Sequence, residues 1–507
     1  MTRCLSAAIF FALAFLSAAP AGAQTDNQAR PASQVPALFL SDIHLDPYAD
    51  PAKVARLNAA PVADWAAILA APASPTQSQD FAALAKACPV RGIDTPNALW
   101  LSSLAALRAR AARVRFVTIS GDLLAHAFDC KYRTLLPAAT HADYVAFAGK
   151  TVGYVVSSLR AALPGVPLYI AMGNNDSGCA DYALDSAHDP FLALTAKIVA
   201  DALPPDLPRA DRDQVLRDFS AGGYYAVPIG ALPRTRLIVL DDIYLSPRYQ
   251  TCAGKPDPAP AAAQLAWLQS QLAAARAAHE RVWVLSHIPP GVDLYSTARK
   301  LANVCAGGKA QMFLGSEQLA DILAGYPDII RLALFGHTHS DEMRLLTHES
   351  SGPASQNGQP TSKNGERTTD DGVPLKIVPS ITPVNGNLPT FTLASVDPAS
   401  ATLTDYTVFI ASNSTGIGTA WSPEYTFSSA YRQPAFNAAS LTRLIAGFQA
   451  DPGAQTSASQ AYLRDYFPGD ASSVIKFAWP QYACSMDHDS AASFAACACR
   501  AASARAR

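Results

Sequence analysis

The chain has 507 residues, enough for one large domain plus a smaller one, or for two to three average domains. Hydrophobic residues make up 50% and charged residues 16%, so a large core can form and chain-wide disorder is excluded as the starting expectation. A net charge of −2 leaves no basic excess, so no nucleic-acid-binding surface is expected.

Residues 1–23 read as a secretory signal peptide. Arg3 supplies the positive start, Ala7 to Ala18 is an apolar stretch short for a bilayer, and Ala21-Gly22-Ala23 gives the small-x-small cleavage pattern before Gln24. The competing reading is an anchoring helix that is never cleaved. No later stretch is apolar for long enough to cross a membrane, so no transmembrane span is expected after signal removal and the product is expected to be secreted or periplasmic. Of nine cysteines, Cys4 leaves with the signal and eight remain for an oxidising compartment, where disulfides are expected. Cys484, Cys497 and Cys499 are expected to staple the C-terminus, with the pairing left open and a thiolate zinc site as the competing reading.

The first strand, Pro36 to Leu40, runs into Ser41-Asp42-Ile43-His44. In extended backbone Asp42 and His44 point the same way, giving a carboxylate and an imidazole at one centre. The second strand, Val114 to Ile119, ends in Gly121-Asp122, with His126 four residues on. The third, Pro167 to Ala171, leads to Gly173-Asn174-Asn175-Asp176, where an asparagine carbonyl can serve as an oxygen ligand. Prolines and charges over 201–220 suggest a surface insertion. Thr235 to Leu240 is a further strand, and Leu265, Leu268 and Leu272 mark the helix after it. Val282 to Leu285 delivers His287, and Ile329 to Phe335 delivers Gly336-His337-Thr338-His339. A glycine at a strand end permits a sharp turn and a close approach. The polar stretch 349–372 reads as a flexible loop. Strands follow at Leu375 to Val378, Thr390 to Leu393 and Leu403 to Phe409, and the pattern turns helical from Phe436. His141, His188, His279, His348 and His488 are read as surface or structural.

Strands alternating with helices argue for an α/β sheet, in which ligands gather at the C-terminal ends of the strands. Five such ends carry Asp42, His44, Asp122, Asn174, His287, His337 and His339. Seven oxygen and imidazole donors are too many for one tetrahedral zinc and fit two metals about 3.5–4 Å apart, with Asp122 bridging.

The ordered set Asp-x-His, Gly-Asp, Gly-Asn, His, Gly-His-x-His resembles the calcineurin-like metallophosphoesterases. Gly121 to His126, Pro379 to Asn387 and Cys484 to His488 with Phe494 and Cys497 are similar to the acid sphingomyelinase-like branch. The resemblance implies an α/β fold, a four-layer βαβα sandwich of two mixed sheets. The catalytic domain would be 36–412, followed by a small helical, cysteine-bearing C-terminal subdomain over 436–507. It implies two divalent metal ions, zinc before manganese or iron: one held by Asp42, His44, Asp122 and His339, the other by Asp122, Asn174, His287 and His337. A metal-bridging hydroxide would then attack the phosphorus of a phosphoester substrate.

The chain departs from the family at Asn175, where a catalytic histidine is usual. An amide can hydrogen-bond a phosphoryl oxygen but cannot act as an acid, so His126 is expected to protonate the leaving group. The competing role for His126 is capping or support. With the catalytic fold starting near Pro36, no saposin-like lipid-extracting domain is expected, which favours soluble phosphodiesters or nucleotides over phospholipid head groups. A polyphosphatase or phosphomonoesterase is the alternative enzyme, and a metal-containing protein that only binds is the alternative outside catalysis.

Overall fold

The computed structural model describes residues 34–300, 302–347, 372–469 and 473–505. The expected signal peptide and most of the expected loop 349–372 lie outside them, as does His348. The apolar runs form short strands: β1 (Val35–Leu40), β2 (Phe116–Ser120), β3 (Leu168–Ala171), β4 (Tyr225–Pro228), β5 (Thr235–Val239) and β6 (Arg281–Leu285). They continue with β7 (Ile330–Phe335), β8 (Glu342–Leu346), β9 (Val373–Ile377), β10 (Thr390–Asp397), β11 (Thr402–Ala411) and β12 (Trp421–Thr426).

Two six-stranded mixed sheets result, in the orders β12-β11-β10-β1-β2-β3 and β4-β5-β6-β7-β9-β8. Strands β1, β2 and β3 are parallel, and so are β5, β6, β7 and β9, whereas β4 and β8 close their sheet antiparallel at its edges. The parallel strands are buried almost throughout, because parallel sheets are covered on both faces. β11 instead alternates buried and half-exposed positions in part, as its sequence suggested.

The sheets meet face to face around Trp283, whose ring centre lies 6.0 Å from Phe39 and 5.7 Å from Phe116, both in the other sheet. Its indole N–H donates to the Ala401 carbonyl at 2.8 Å, which satisfies the one polar atom the contact buries. Helix Phe191–Ala202 packs on β3, and helix Ala259–Ala277 packs on β5 and β6. Helix Ala438–Gln449, capped by the Asn437 side chain, packs on β8 and β9 of the second sheet.

Four disulfides join all eight cysteines beyond Cys4: Cys88–Cys130, Cys179–Cys252, Cys305–Cys499 and Cys484–Cys497. This excludes the thiolate zinc reading. Cys484 and Cys497 staple the tail to itself, but Cys499 ties it to Cys305, in the stretch before β7.

Residues 201–220, expected as a surface insertion, are mostly helical and carry exposed charges. The prolines fall between two helices, Phe191–Ala202 and Arg209–Gly222, with Pro208 at the cap of the second. Proline is tolerated at a helix start, and Val215 and Phe219 supply a buried stripe four residues apart, while Arg212 turns back to donate to the Ala200 and Pro204 carbonyls. Strands β4, β8 and β12 were not legible beforehand. β8 buries the ion pair Glu342–Arg344, at 3.1 Å, in a place where apolar alternation was the signal sought.

Candidate metal centre

All seven expected ligands gather beside the C-terminal ends of β1, β2, β3, β6 and β7. Asp122 lies between two groups. Its Oδ2 is 3.3 Å from His44 Nε2 and 3.2 Å from His287 Nε2. On one side, His44 Nε2 and His339 Nε2 stand 3.7 Å and 3.3 Å from Asp42 Oδ1. On the other, His287 Nε2 is 3.1 Å from Asn174 Oδ1, and the His337 ring centre is 5.2 Å from that of His287.

The backbone achieves this differently from the extended arrangement expected at Asp42 and His44. Both have positive φ, 48° and 43°, as do Asp122 at 55°, His337 at 72° and His339 at 62°. Non-glycine residues rarely adopt this left-handed region, and each such residue costs on the order of 1–3 kcal/mol unless its surroundings enforce it. Here Asp42 N–H donates to Gly121 O at 3.0 Å, His44 N–H to Asp122 O at 2.9 Å, and His337 N–H to Asp42 Oδ2 at 3.1 Å. The motif glycines serve close approach. A Cβ on Gly173 would strike the Asp122 carboxylate, and one on Gly336 would strike Ser41 Oγ and Asp42.

Hydrogen bonds behind the cluster set the imidazole tautomers. His44 Nδ1 lies 2.7 Å from Leu124 O and His287 Nδ1 lies 2.6 Å from Ser120 O. A carbonyl only accepts, so each Nδ1 carries a proton and each Nε2 faces the centre, where a metal would take the place of its proton. His44 Nε2 and His339 Nδ1 are buried without a hydrogen-bond partner. Orphaned imidazole nitrogens among buried carboxylates, with an amide oxygen added, form a donor set that suits divalent cations.

The electrostatics agree. Burial alone would raise Asp42 and Asp122, but His339 beside the first and His287 and His44 beside the second hold both well below the ordinary carboxylate range. Burial alone would lower His44 and His287, yet the Asp122 carboxylate drives them up to about 9 and about 10. His337 goes the other way, to about 3, through burial and the neighbouring His287. The centre therefore favours positive charge between its carboxylates, which a divalent ion supplies directly.

Asn175 is not free in the cavity. Its backbone N–H donates to Asp122 Oδ1 and its side-chain amide to Asp122 Oδ2, both at 2.8 Å. The amide thus holds the central carboxylate. His126 lies in the cavity wall with its ring stacked on His44, centres 4.0 Å apart and 20° between planes. Its Nδ1 is 2.8 Å from Asp94 Oδ1, and Asp94 Oδ2 accepts its backbone N–H at 2.9 Å. His44, His126 and His339 offer nitrogens within 4.8 Å of one another.

Several supporting residues lie outside the seven expected ligands. Asp94 is buried and also accepts from Lys131 at 3.3 Å, and Lys131 donates to Asp46 at 3.1 Å. Asp176 accepts Leu123, Leu124 and Gly173 N–H groups at 2.8, 2.9 and 2.9 Å, tying the β2 and β3 loops together. Its position after Gly-Asn-Asn was a usable hint that went unread. Asp94 lies in a loop remote from every motif, so nothing marked it. The cluster opens into a cavity of about 1800 Å³ whose wall includes Tyr182, Arg248, Tyr295 and Phe313.

A model of the calcineurin-like phosphoesterase family matches residues 35–341, more than half of the chain. Cyclic GMP-AMP phosphodiesterase SMPDL3A of Mus musculus is 24% identical over 387 residues, which cover 74% of this chain and 73% of that protein. Sphingomyelinase phosphodiesterase D of Dictyostelium discoideum is 27% identical over 315 residues, 59% of this chain and 63% of that one. Sphingomyelin phosphodiesterase of Homo sapiens is 29% identical over 204 residues, 39% of this chain and 27% of that one. Among solved structures, a dimetal phosphatase from Danio rerio aligns over 77% of this chain and 99% of its own, with 12% identity and a TM-score of 0.36. The chain belongs to the calcineurin-like phosphoesterase family, in its acid sphingomyelinase-like branch, and is a metal-dependent phosphoric ester hydrolase.

Proposed function

We propose that this enzyme is an exported phosphodiesterase that cleaves P–O bonds of soluble phosphodiesters, nucleotides foremost. The observation that carries the proposal is Asp122 at the midpoint of two donor groups, on the wall of an open cavity of about 1800 Å³. Tyr295, 41% exposed on that wall with the Arg91 guanidinium 5.2 Å from its ring centre, offers an aromatic face to a flat base. The name of the mouse relative, a cyclic dinucleotide phosphodiesterase, supports the same class. Four disulfides favour an oxidising destination, secreted or periplasmic, and among the described residues no helix is long and apolar enough to cross a membrane.

Asp42, His44, Asp122 and His339 would hold one divalent ion and Asp122, Asn174, His287 and His337 the other, with zinc the first choice and manganese or iron the others. When bound, such a pair supplies a water acidic enough to act as nucleophile near neutral pH and offsets charge on the phosphoryl oxygens. Ser41, the His337 N–H and Asn175 hold the Asp42 and Asp122 carboxylates in place. His126 has its Nδ1 committed to Asp94, which leaves Nε2 to deliver a proton to the departing alcohol oxygen as the P–O bond breaks.

A second reading, cleavage of phosphoanhydrides such as polyphosphate, is favoured by Asn175: both its donors face Asp122 and neither can protonate a poor leaving group. The test is turnover, after chelation and after adding Zn(II) or Mn(II), of bis-p-nitrophenyl phosphate, p-nitrophenyl phosphate, ATP, polyphosphate and sphingomyelin. Metal-dependent preference for the diester supports the proposal. Preference for polyphosphate or the monoester would replace it.

A further inference from the structure

Asn174 is the one expected ligand that can present either of two chemically opposite atoms. Its carbonyl oxygen binds a cation, whereas its NH2 repels one, and the two orientations fill nearly the same space. What decides between them is the acceptor that faces the nitrogen. That acceptor is Asp181, whose Oδ1 takes the Asn174 Nδ2 hydrogen at 2.7 Å, so that Asn174 Oδ1 faces His287 Nε2.

Asp181 is itself held. Its Oδ2 accepts from Arg248 Nη2 at 3.0 Å, and the Arg248 guanidinium lies 3.8 Å from the centre of the Tyr182 ring. Tyr182 is in the left-handed region, at φ 58°, and its hydroxyl lies 3.3 Å from His337 Nε2. Its backbone N–H donates to Asn174 O at 2.9 Å, and its carbonyl accepts from Gln250 N–H at 3.0 Å. The Cys179–Cys252 disulfide clamps the same two segments. Residues 181 and 182 therefore touch Asn174 and His337, two of the three side chains assigned only to the second ion. Among the described residues no hydrogen bond joins them to Asp42, His44 or His339.

We propose that Asp181, braced by Arg248, is a positioning residue that selects the oxygen-inward orientation of Asn174 and so sets the affinity of the second of the two cation positions alone. This rests on the two-metal reading of the site.

The test uses the full chain stripped of metal and titrated with Mn(II), with ions per chain from calorimetry and metal–metal coupling from electron paramagnetic resonance. The wild-type chain should take up two ions that couple. Asp181→Ala should keep one tight ion and bind the other roughly 10–100-fold more weakly, with an uncoupled Mn(II) signal appearing at one equivalent. Asp181→Asn, which keeps an oxygen acceptor, should recover most of the loss. Arg248→Ala should weaken the same ion by less, and it serves if Asp181→Ala does not fold. The proposal is overturned if Asp181→Ala binds both ions like wild type, if it weakens both equally, or if Asp181→Asn does no better than Asp181→Ala. A wild-type chain that binds no pair of ions would overturn the two-metal reading itself, a result distinct from any of these.

Discussion

Replacing His126 by alanine separates its two possible roles through the leaving group. The ring is anchored at Nδ1 by Asp94 at 2.8 Å and stacked on His44, so a single nitrogen, Nε2, remains to meet a ligand. The side chain is 30% exposed, enough to reach a substrate in the cavity. A positioned general acid contributes roughly 10²–10⁴ in rate, which at 1.36 kcal/mol per tenfold is about 2.7–5.4 kcal/mol of barrier. A diester that releases an alkoxide should lose that whole factor in His126→Ala. One that releases p-nitrophenolate, a stable anion, should lose less than about tenfold. The assay is kcat on a matched pair of such diesters at fixed metal, with metal content measured on the same samples. Equal losses on both substrates would refute the assignment. Loss of one ion from the variant would instead make His126 a ligand, consistent with its nitrogen lying within 4.8 Å of donors on His44 and His339.

Gly173→Ala should cost about 1–3 kcal/mol by overpacking and should weaken metal uptake as well, because the new Cβ strikes the Asp122 carboxylate; thermal melts with and without Zn(II) read both effects. Cys499→Ser should lower stability by about 2–5 kcal/mol, since it releases the tail from Cys305, but should leave the two-ion stoichiometry intact. Glu424 is pushed up to about 8 by burial and by Asp341, and its Oε2 is buried without a partner. Its folded pKa lies above its unfolded one, so the stability it contributes is complete below about pH 4.5 and is lost as pH rises towards 8. Glu424→Gln should therefore melt like wild type at pH 4 and be more stable at pH 9, by up to about 5 kcal/mol.

The metal motifs were legible because the fold leaves little freedom at those places. A parallel strand ends, a glycine lets another loop approach within contact distance, and a ligand follows at once. Gly121-Asp122, Gly173-Asn174 and Gly336-His337 all read this way, and the structure brings them together. The means of convergence was not legible. Residue spacing suggested extended backbone at Asp42 and His44, whereas tertiary hydrogen bonds force both into the left-handed region. The supporting residues were silent for another reason. Asp94, Asp181 and Arg248 lie in loops between elements, and their roles depend on which loop folds beside which. The same holds for Cys305, whose partner lies 194 residues away. At 201–220 the composition did not reveal the helices, because prolines bracket helices as readily as they break loops.

The most direct test of the two-metal centre is anomalous diffraction from crystals of the chain grown with Zn(II) or Mn(II). Two peaks about 3.5–4 Å apart are predicted, with the Asp122 carboxylate between them, Asn174 Oδ1 on one and His44 Nε2 on the other. A single peak, or ions bound only away from Asp122, would contradict it.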